Sequence, residues 1–284
     1  SARGFYVDDN GSAELSGGLT AFVDGGADGS TALDVQGRFS ALFGNITAEG
    51  EESEGIYSQA GDVAFTDGVR INAATGIYLQ SDDSGKAAVG NFGGYSEVIA
   101  DKSGKGNTGV QVRRSTLNMA DAKISANGGN AAGLVLRGGE ASFSGTLAVD
   151  ASGSQSTGIN VREYFNNDDS SGGHLTAKDV SVAVNGQSSA VGFNLEHSRA
   201  DVDGHLNIDA IGTAARGLMV RSNSSFTGNT AFISVKGENA ASTAIFAGDA
   251  GNISFAEDVV TDALSTAVAE DKDSSISFAK GLLT

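Results

Sequence analysis

Gly109-Val110-Gln111-Val112, Gly133-Leu134-Val135-Leu136 and Gly158-Ile159-Asn160-Val161 follow one another closely in this chain. Each is a small residue, then apolar, any, apolar. The pattern extends both ways. Upstream it reads Gly4-Phe5-Tyr6-Val7, Ala32-Leu33-Asp34-Val35, Gly55-Ile56-Tyr57-Ser58 and Gly76-Ile77-Tyr78-Leu79. Downstream it reads Gly192-Phe193-Asn194-Leu195, Gly217-Leu218-Met219-Val220, Ala244-Ile245-Phe246-Ala247 and a weaker Ala267-Val268-Ala269-Glu270. The step is about 25 residues, with two longer steps from Gly76 to Gly109 and from Gly158 to Gly192. About ten residues after each copy comes a second motif, often Phe and a small residue: Phe39-Ser40, Phe65-Thr66, Phe143-Ser144, Phe226-Thr227, Phe255-Ala256, Phe278-Ala279. Leu175 and Val202 are expected to fill the same slot. A third alternating run closes the unit, as in Leu147-Ala148-Val149, Val182-Ala183-Val184, Leu206-Asn207-Ile208 and Ile233-Ser234-Val235. Strict alternation is the period of a strand, and no stretch sustains a 3.6-residue period.

Three short strands per unit are too few for a propeller blade, and no unit has the helical half of a leucine-rich repeat. They fit one turn of a parallel β-helix. About eleven turns at roughly 4.8 Å each predict a rod on the order of 50 Å long. One turn cannot stand alone, so each must be held by its neighbours. The composition agrees. The chain of 284 residues has no Pro, as expected where interior strands use every N–H. Its 41 Gly have an expected role at the corner before each first strand, in a backbone conformation that Gly holds cheaply. The longer steps predict loop insertions near residues 80–96 and 162–173, projecting from the rod's corners. Residues 1–284 read as a single β-helix domain.

Other classes fall away. There is no Cys, hence no disulfide framework, thiolate metal site or cysteine nucleophile. With 18 Lys plus Arg against 35 Asp plus Glu, the net charge is 18 − 35 = −17, which disfavours nucleic acid as a partner. No apolar run reaches the length of a membrane-spanning helix. The start, Ser1-Ala2-Arg3-Gly4-Phe5, lacks a signal-peptide pattern, as expected of a mature or excised segment. Neither end reads as a cap, and open strand edges invite a partner or a continuation of the chain.

Gly-rich, Cys-free, acidic, strand-only turns of this length resemble the passenger domains of bacterial autotransporters. The resemblance is architectural and covers essentially the whole chain. It implies a right-handed parallel β-helix at the bacterial cell surface or in the extracellular space, tethered in that family by a C-terminal outer-membrane barrel absent from this chain. No Gly-Asp-Ser-Gly tetrapeptide of the family's serine-protease branch is present. The resemblance therefore implies an adhesin or self-associating surface protein, a piece of a longer chain. Its expected partners are a host-cell or matrix protein, a glycan, or a second copy of itself.

The position just after the first strand holds Arg113, Arg137, Arg162, Glu196 and Arg221 in five successive units. In register these side chains would stack about 4.8 Å apart, and like charges so close repel unless compensated. Two readings stand: a cationic strip for an anionic glycan, a carboxylate-rich partner or a second rod, or a set of salt bridges to Glu163, Glu196, Asp168 or Asp169. The middle residue of the first strand should face outward. Tyr57 and Tyr78, in adjacent units, would form an exposed aromatic stack suited to sugar or protein. Val135, Met219 and Phe246 in the same column would be covered by a loop or form an association surface. The insertion carries Tyr164 and Phe165 beside Asp168 and Asp169, either a recognition tip or a loop whose aromatics pack back on the rod. Asp168 and Asp169 could also hold calcium, though no calcium-binding repeat occurs. The rival class is a β-helical polysaccharide lyase or glycosidase, with Asp201 and Asp203 or Asp168 and Asp169 as its carboxylate pair; a phage tailspike segment is a third. His174, His197 and His205 fit no metal spacing. The expectation is a non-enzyme without metal or cofactor, with Arg113, Arg137, Arg162, Arg221, Tyr57, Tyr78, Tyr164 and Phe165 as its binding residues.

Overall fold

The computed structural model describes residues 2–26, 29–103, 105–166, 169–238 and 242–284. Among them there is no α-helix, and the strands stack in parallel as a β-solenoid. On the first face, Ala2–Val7 pairs with Ser30–Val35, which pairs with Glu54–Gln59, and so on to Ala267–Ala269. The eleven motif copies thus become eleven rungs joined by ten pairings, or about ten full turns. The second and third faces follow in the same order; Thr116–Asn127 and Ser225–Gly237 run through both.

The alternating pattern works as a register device. Leu33, Ile56, Ile77, Val110, Leu134, Ile159, Phe193, Leu218 and Ile245 stack as one inward column. All are fully buried. A one-residue slip would turn such a column outward, so burial enforces the register.

The Phe motif resolves into two inward slots, not one. Phe39, Leu175 and Phe226 occupy the first. Phe65, Phe143, Val202, Phe255 and Phe278 occupy the second, two residues later. A two-residue offset keeps a side chain on the same face. In some turns the offset is matched by size. Phe39 sits beside Ala41, Phe92 beside Gly90, Phe143 beside Ala141, and Phe226 beside Gly228. In these four turns one large and one small residue share the two slots, whereas Val63 with Phe65, Leu117 with Met119, Ile253 with Phe255 and Ile276 with Phe278 fill both.

The glycines that open the first strands have a different cause from the expected one. Gly76, Gly109, Gly133 and Gly192 are not in the left-handed region. A Cβ on Gly109 would lie 2.1 Å from Ile124 Cγ2, and one on Gly133 would lie 2.1 Å from Val149 Cγ1. Branched side chains of the third strand press against this edge of the first, so close approach selects Gly. Left-handed glycines do occur at the corner before some first strands, at Gly29 (φ 76) and Gly50 (φ 113), and left-handed residues also follow first strands: Ala60 (φ 58), Arg114 (φ 48), Gly138 (φ 63), His197 (φ 47) and Ser222 (φ 56). Buried serines fasten this corner. Ser115 Oγ accepts from Ala88 N at 3.1 Å and donates to Arg113 O at 3.0 Å. Ser198 Oγ does the same between Gly173 N (3.0 Å) and Glu196 O (2.9 Å).

The insertions are narrower than the long steps suggested. Residues 81–88 leave the stack, and Val89–Ala100 rejoins it as strand. The second insertion carries a two-stranded antiparallel hairpin, Tyr164–Asn166 with Asp169–Ser171.

Candidate functional site

The first face carries the chemistry. The residue that ends each first strand aligns as Gln59, Gln80, Arg113, Arg137, Arg162, Glu196 and Arg221. The serine-fastened, left-handed corner immediately after it fixes where this column points. Beside it runs the central column Tyr57, Tyr78, Gln111, Val135, Asn160, Asn194 and Met219.

The arginines differ in what they touch. Arg221 Nη2 reaches Glu196 Oε2 at 3.3 Å. Arg113 Nη2 donates to the Tyr164 hydroxyl at 2.6 Å, and its guanidinium lies 4.5 Å from the centre of that ring. Bonds to the hydroxyls of Tyr164 and Tyr78 push the Arg113 pKa further up. Arg137 and Arg162 lie between these two. Among the described residues neither has an ion pair or a side-chain hydrogen-bond partner, and the buried Nε of each is unsatisfied. Burial, then the neighbouring charges of Arg162 and Arg113, push the Arg137 pKa down. Of the acids expected to neutralise them, Glu163 and Glu196 are engaged elsewhere. Glu163 Oε2 lies 3.4 Å from His197 Nδ1, and Glu196 is held by Arg221. Asp168 and the Asp169 side chain lie outside the described residues, as does the calcium site they were expected to form.

Tyr57 and Tyr78 are in contact but do not form an open stack. Their rings meet edge to face at 5.6 Å and 72°, and both are half-buried. The Tyr78 hydroxyl donates to Gln80 Oε1 at 2.9 Å, and Gln80 Nε2 donates to the Tyr57 hydroxyl. Burial raises the Tyr57 pKa. The tyrosines thus form a polar ladder that runs up to Arg113. The apolar residues of the same column are shielded by their own face. Val135 and Met219 are buried. Arg216 lays its guanidinium 5.0 Å from the Phe246 ring centre and sends Nη1 to Met219 Sδ at 2.9 Å. The insertion's two aromatics part ways: Tyr164 folds back on Arg113, with Arg114 5.4 Å from its ring centre, whereas Phe165 is 78% exposed.

Sequence reasoning missed four participants. Gln59 and Gln80 continue the arginine column and could have been found from the register. Arg216 lies one rung position outside the motif and carried no signal. Arg114 was hidden because nothing in the sequence marks a left-handed arginine.

The candidate carboxylate pair on the second face is differently disposed. Asp201 accepts from Arg199 Nε at 2.7 Å and Nη2 at 3.0 Å, and lies 2.9 Å from His174 Nε2. Burial pushes the Asp201 carboxyl up, but the Arg199 and His174 bonds outweigh it and hold it below its ordinary range. Asp203 is exposed. Among the described residues no cluster of three His, Asp or Glu could hold a metal. Among the described residues no helix is long and apolar enough to cross a membrane.

No family model, curated protein or solved structure matches the chain.

Proposed function

We propose that this solenoid is a recognition rod of the bacterial adhesin type, of the kind found in autotransporter passengers, and that it holds an anionic partner along its first face at the cell surface. One observation carries the reading. In a chain of net charge −17, Arg137 and Arg162 stand in adjacent rungs without an acid among the described residues to neutralise them. Acids outnumber basic residues almost two to one, so arginines needed only for the fold had partners at hand.

The alternative of carbohydrate cleavage has less support. A general acid needs a raised pKa near its working pH, and Asp201 is shifted the opposite way by its bonds to Arg199 and His174. A panel of neutral, carboxylated and sulfated oligosaccharides tests the reading. Retention of charged members without shortened products supports a binding rod. Shortened oligosaccharides would establish an enzyme instead.

A further inference from the structure

We propose that Arg137 and Arg162 form a binding subsite for a tetrahedral dianion of the phosphate or sulfate class. The proposal rests on the recognition reading above and gives its site a chemistry. The two residues pair in register on the first face, so their side chains leave the sheet about 4.8 Å apart. Two guanidinium groups in adjacent rungs, without an ion-pair partner among the described residues, call for two negative charges between them. A tetrahedral dianion supplies both charges and enough oxygens for two forked donors at once. A carboxylate supplies one charge and two oxygens in a plane. Each Nε is closed off from solvent, so the ligand is met by the terminal nitrogens.

The neighbours suit this arrangement. Arg113 closes the N-terminal side and is fixed by the Tyr164 and Tyr78 hydroxyls. On the other side Glu196 is turned to Arg221, which keeps its carboxylate from competing for the subsite. The floor beside the arginines is Val135 and Asn160, and Asn160 Oδ1 accepts from Asn194 Nδ2 at 3.0 Å. The subsite thus has a floor fixed by the sheet and two cations without an ion-pair partner among the described residues. Nucleic acid is disfavoured as the source of the phosphate, because the rest of the −17 surface repels a long polyanion. A single ester group bound locally is not so penalised.

Calorimetric titration with inorganic phosphate, sulfate and acetate at matched ionic strength tests the proposal, using the whole chain and circular dichroism to verify folding. The expected result is saturable binding of one phosphate or sulfate per chain, weakened at least tenfold in Arg137→Gln and in Arg162→Gln. Arg70→Gln, which loses an ion pair on the third face, should leave it unchanged. Arg162→Lys keeps the charge without the fork and should bind at an intermediate strength. A sugar 6-phosphate or 6-sulfate run in parallel separates the sources. Tighter binding than the free ion marks an ester on a saccharide, and equal or weaker binding marks the free anion. Acetate binding as tightly as phosphate would overturn the dianion subsite, as would no saturable binding at all. If neither anion binds while charge reversal of the column still abolishes capture of a partner, only the subsite falls and the recognition reading stands. If the anions bind and charge reversal changes no capture, the reverse holds.

Discussion

Removing an arginine from the column should have opposite effects depending on which arginine it is. Arg162→Gln deletes one of two adjacent cations that lack acids among the described residues. At about 4.8 Å, like charges repel by about 0.9 kcal/mol in bulk water and about 3.5 kcal/mol at an effective dielectric of 20. Arg162 is half-buried, and part of the gain is lost with the packing of its stem. The net expectation, without phosphate or sulfate present, is that Arg162→Gln is more stable than the wild type by about 1 kcal/mol at low salt. Added salt should shrink the gain as the Debye length falls below the rung spacing, between about 0.15 and 1 M. Arg221→Gln breaks the contact with Glu196 and should be neutral or slightly destabilising, with the opposite salt trend. Urea unfolding of the three proteins at two salt concentrations reads both effects from the midpoints. A loss of 1 kcal/mol or more in Arg162→Gln at every salt concentration would refute the reasoning, because it would mean that Arg162 is partnered and structural.

Other outcomes follow from the packing and the buried acids. Gly192→Ala places a Cβ 2.4 Å from Ile208 Cγ2 and should cost about 1–3 kcal/mol. Combined with Ile208→Ala, it should cost clearly less than the sum of the two single changes, whereas additive costs in a double-mutant cycle would put the clash on the Gly217 carbonyl, 2.8 Å from the same Cβ. Phe143→Ala would leave two alanines in one turn beside Ala141 and should cost about 3–5 kcal/mol; adding Ala141→Leu should recover part of it, and no recovery would contradict the size-matched slots. Burial pushes the Asp34 carboxyl above its ordinary range, against the pull of Arg3 3.1 Å away. The folded state then holds the proton more tightly than the unfolded chain. The cost of ionised Asp34 is therefore present at neutral pH and relieved as pH falls through its folded pKa toward the ordinary value. Asp34→Asn should match or exceed the wild type at pH 7 and lose that advantage near pH 4, as read from urea midpoints across the range; an advantage that grew on acidification would reverse the sign.

The fold was legible because its signal is local and repeated. Alternation in Gly133-Leu134-Val135-Leu136 states which side chains go inward, and its recurrence about every 25 residues states what they stack on. What could not be read was anything decided between neighbouring turns. The sequence did not distinguish Phe39 in one slot from Phe65 in the next, because both satisfy the same alternation and their offset is fixed only by the register between turns. The opening glycines looked conformational because their partners, such as Ile124 against Gly109, lie a whole strand away. The left-handed corners at Ala60, Arg114 and His197 carry residues with no turn signature. In the arginine column the register was readable from spacing alone. Their pairing was not, because it depends on Glu163 turning to His197 and Glu196 turning to Arg221. Tyr57 and Tyr78 were placed correctly in adjacent rungs, but their glutamine partners and half-burial belong to the assembled face.

The central claim is that the arginine column is an open binding surface. Capture by the purified rod of surfaces bearing sulfated or carboxylated ligands tests it most directly, comparing the wild type with Arg113→Glu/Arg137→Glu/Arg162→Glu at low and high salt. The account predicts salt-sensitive capture by the wild type and loss of capture in the triple variant, with unchanged circular dichroism. Equal capture by a folded triple variant would contradict it.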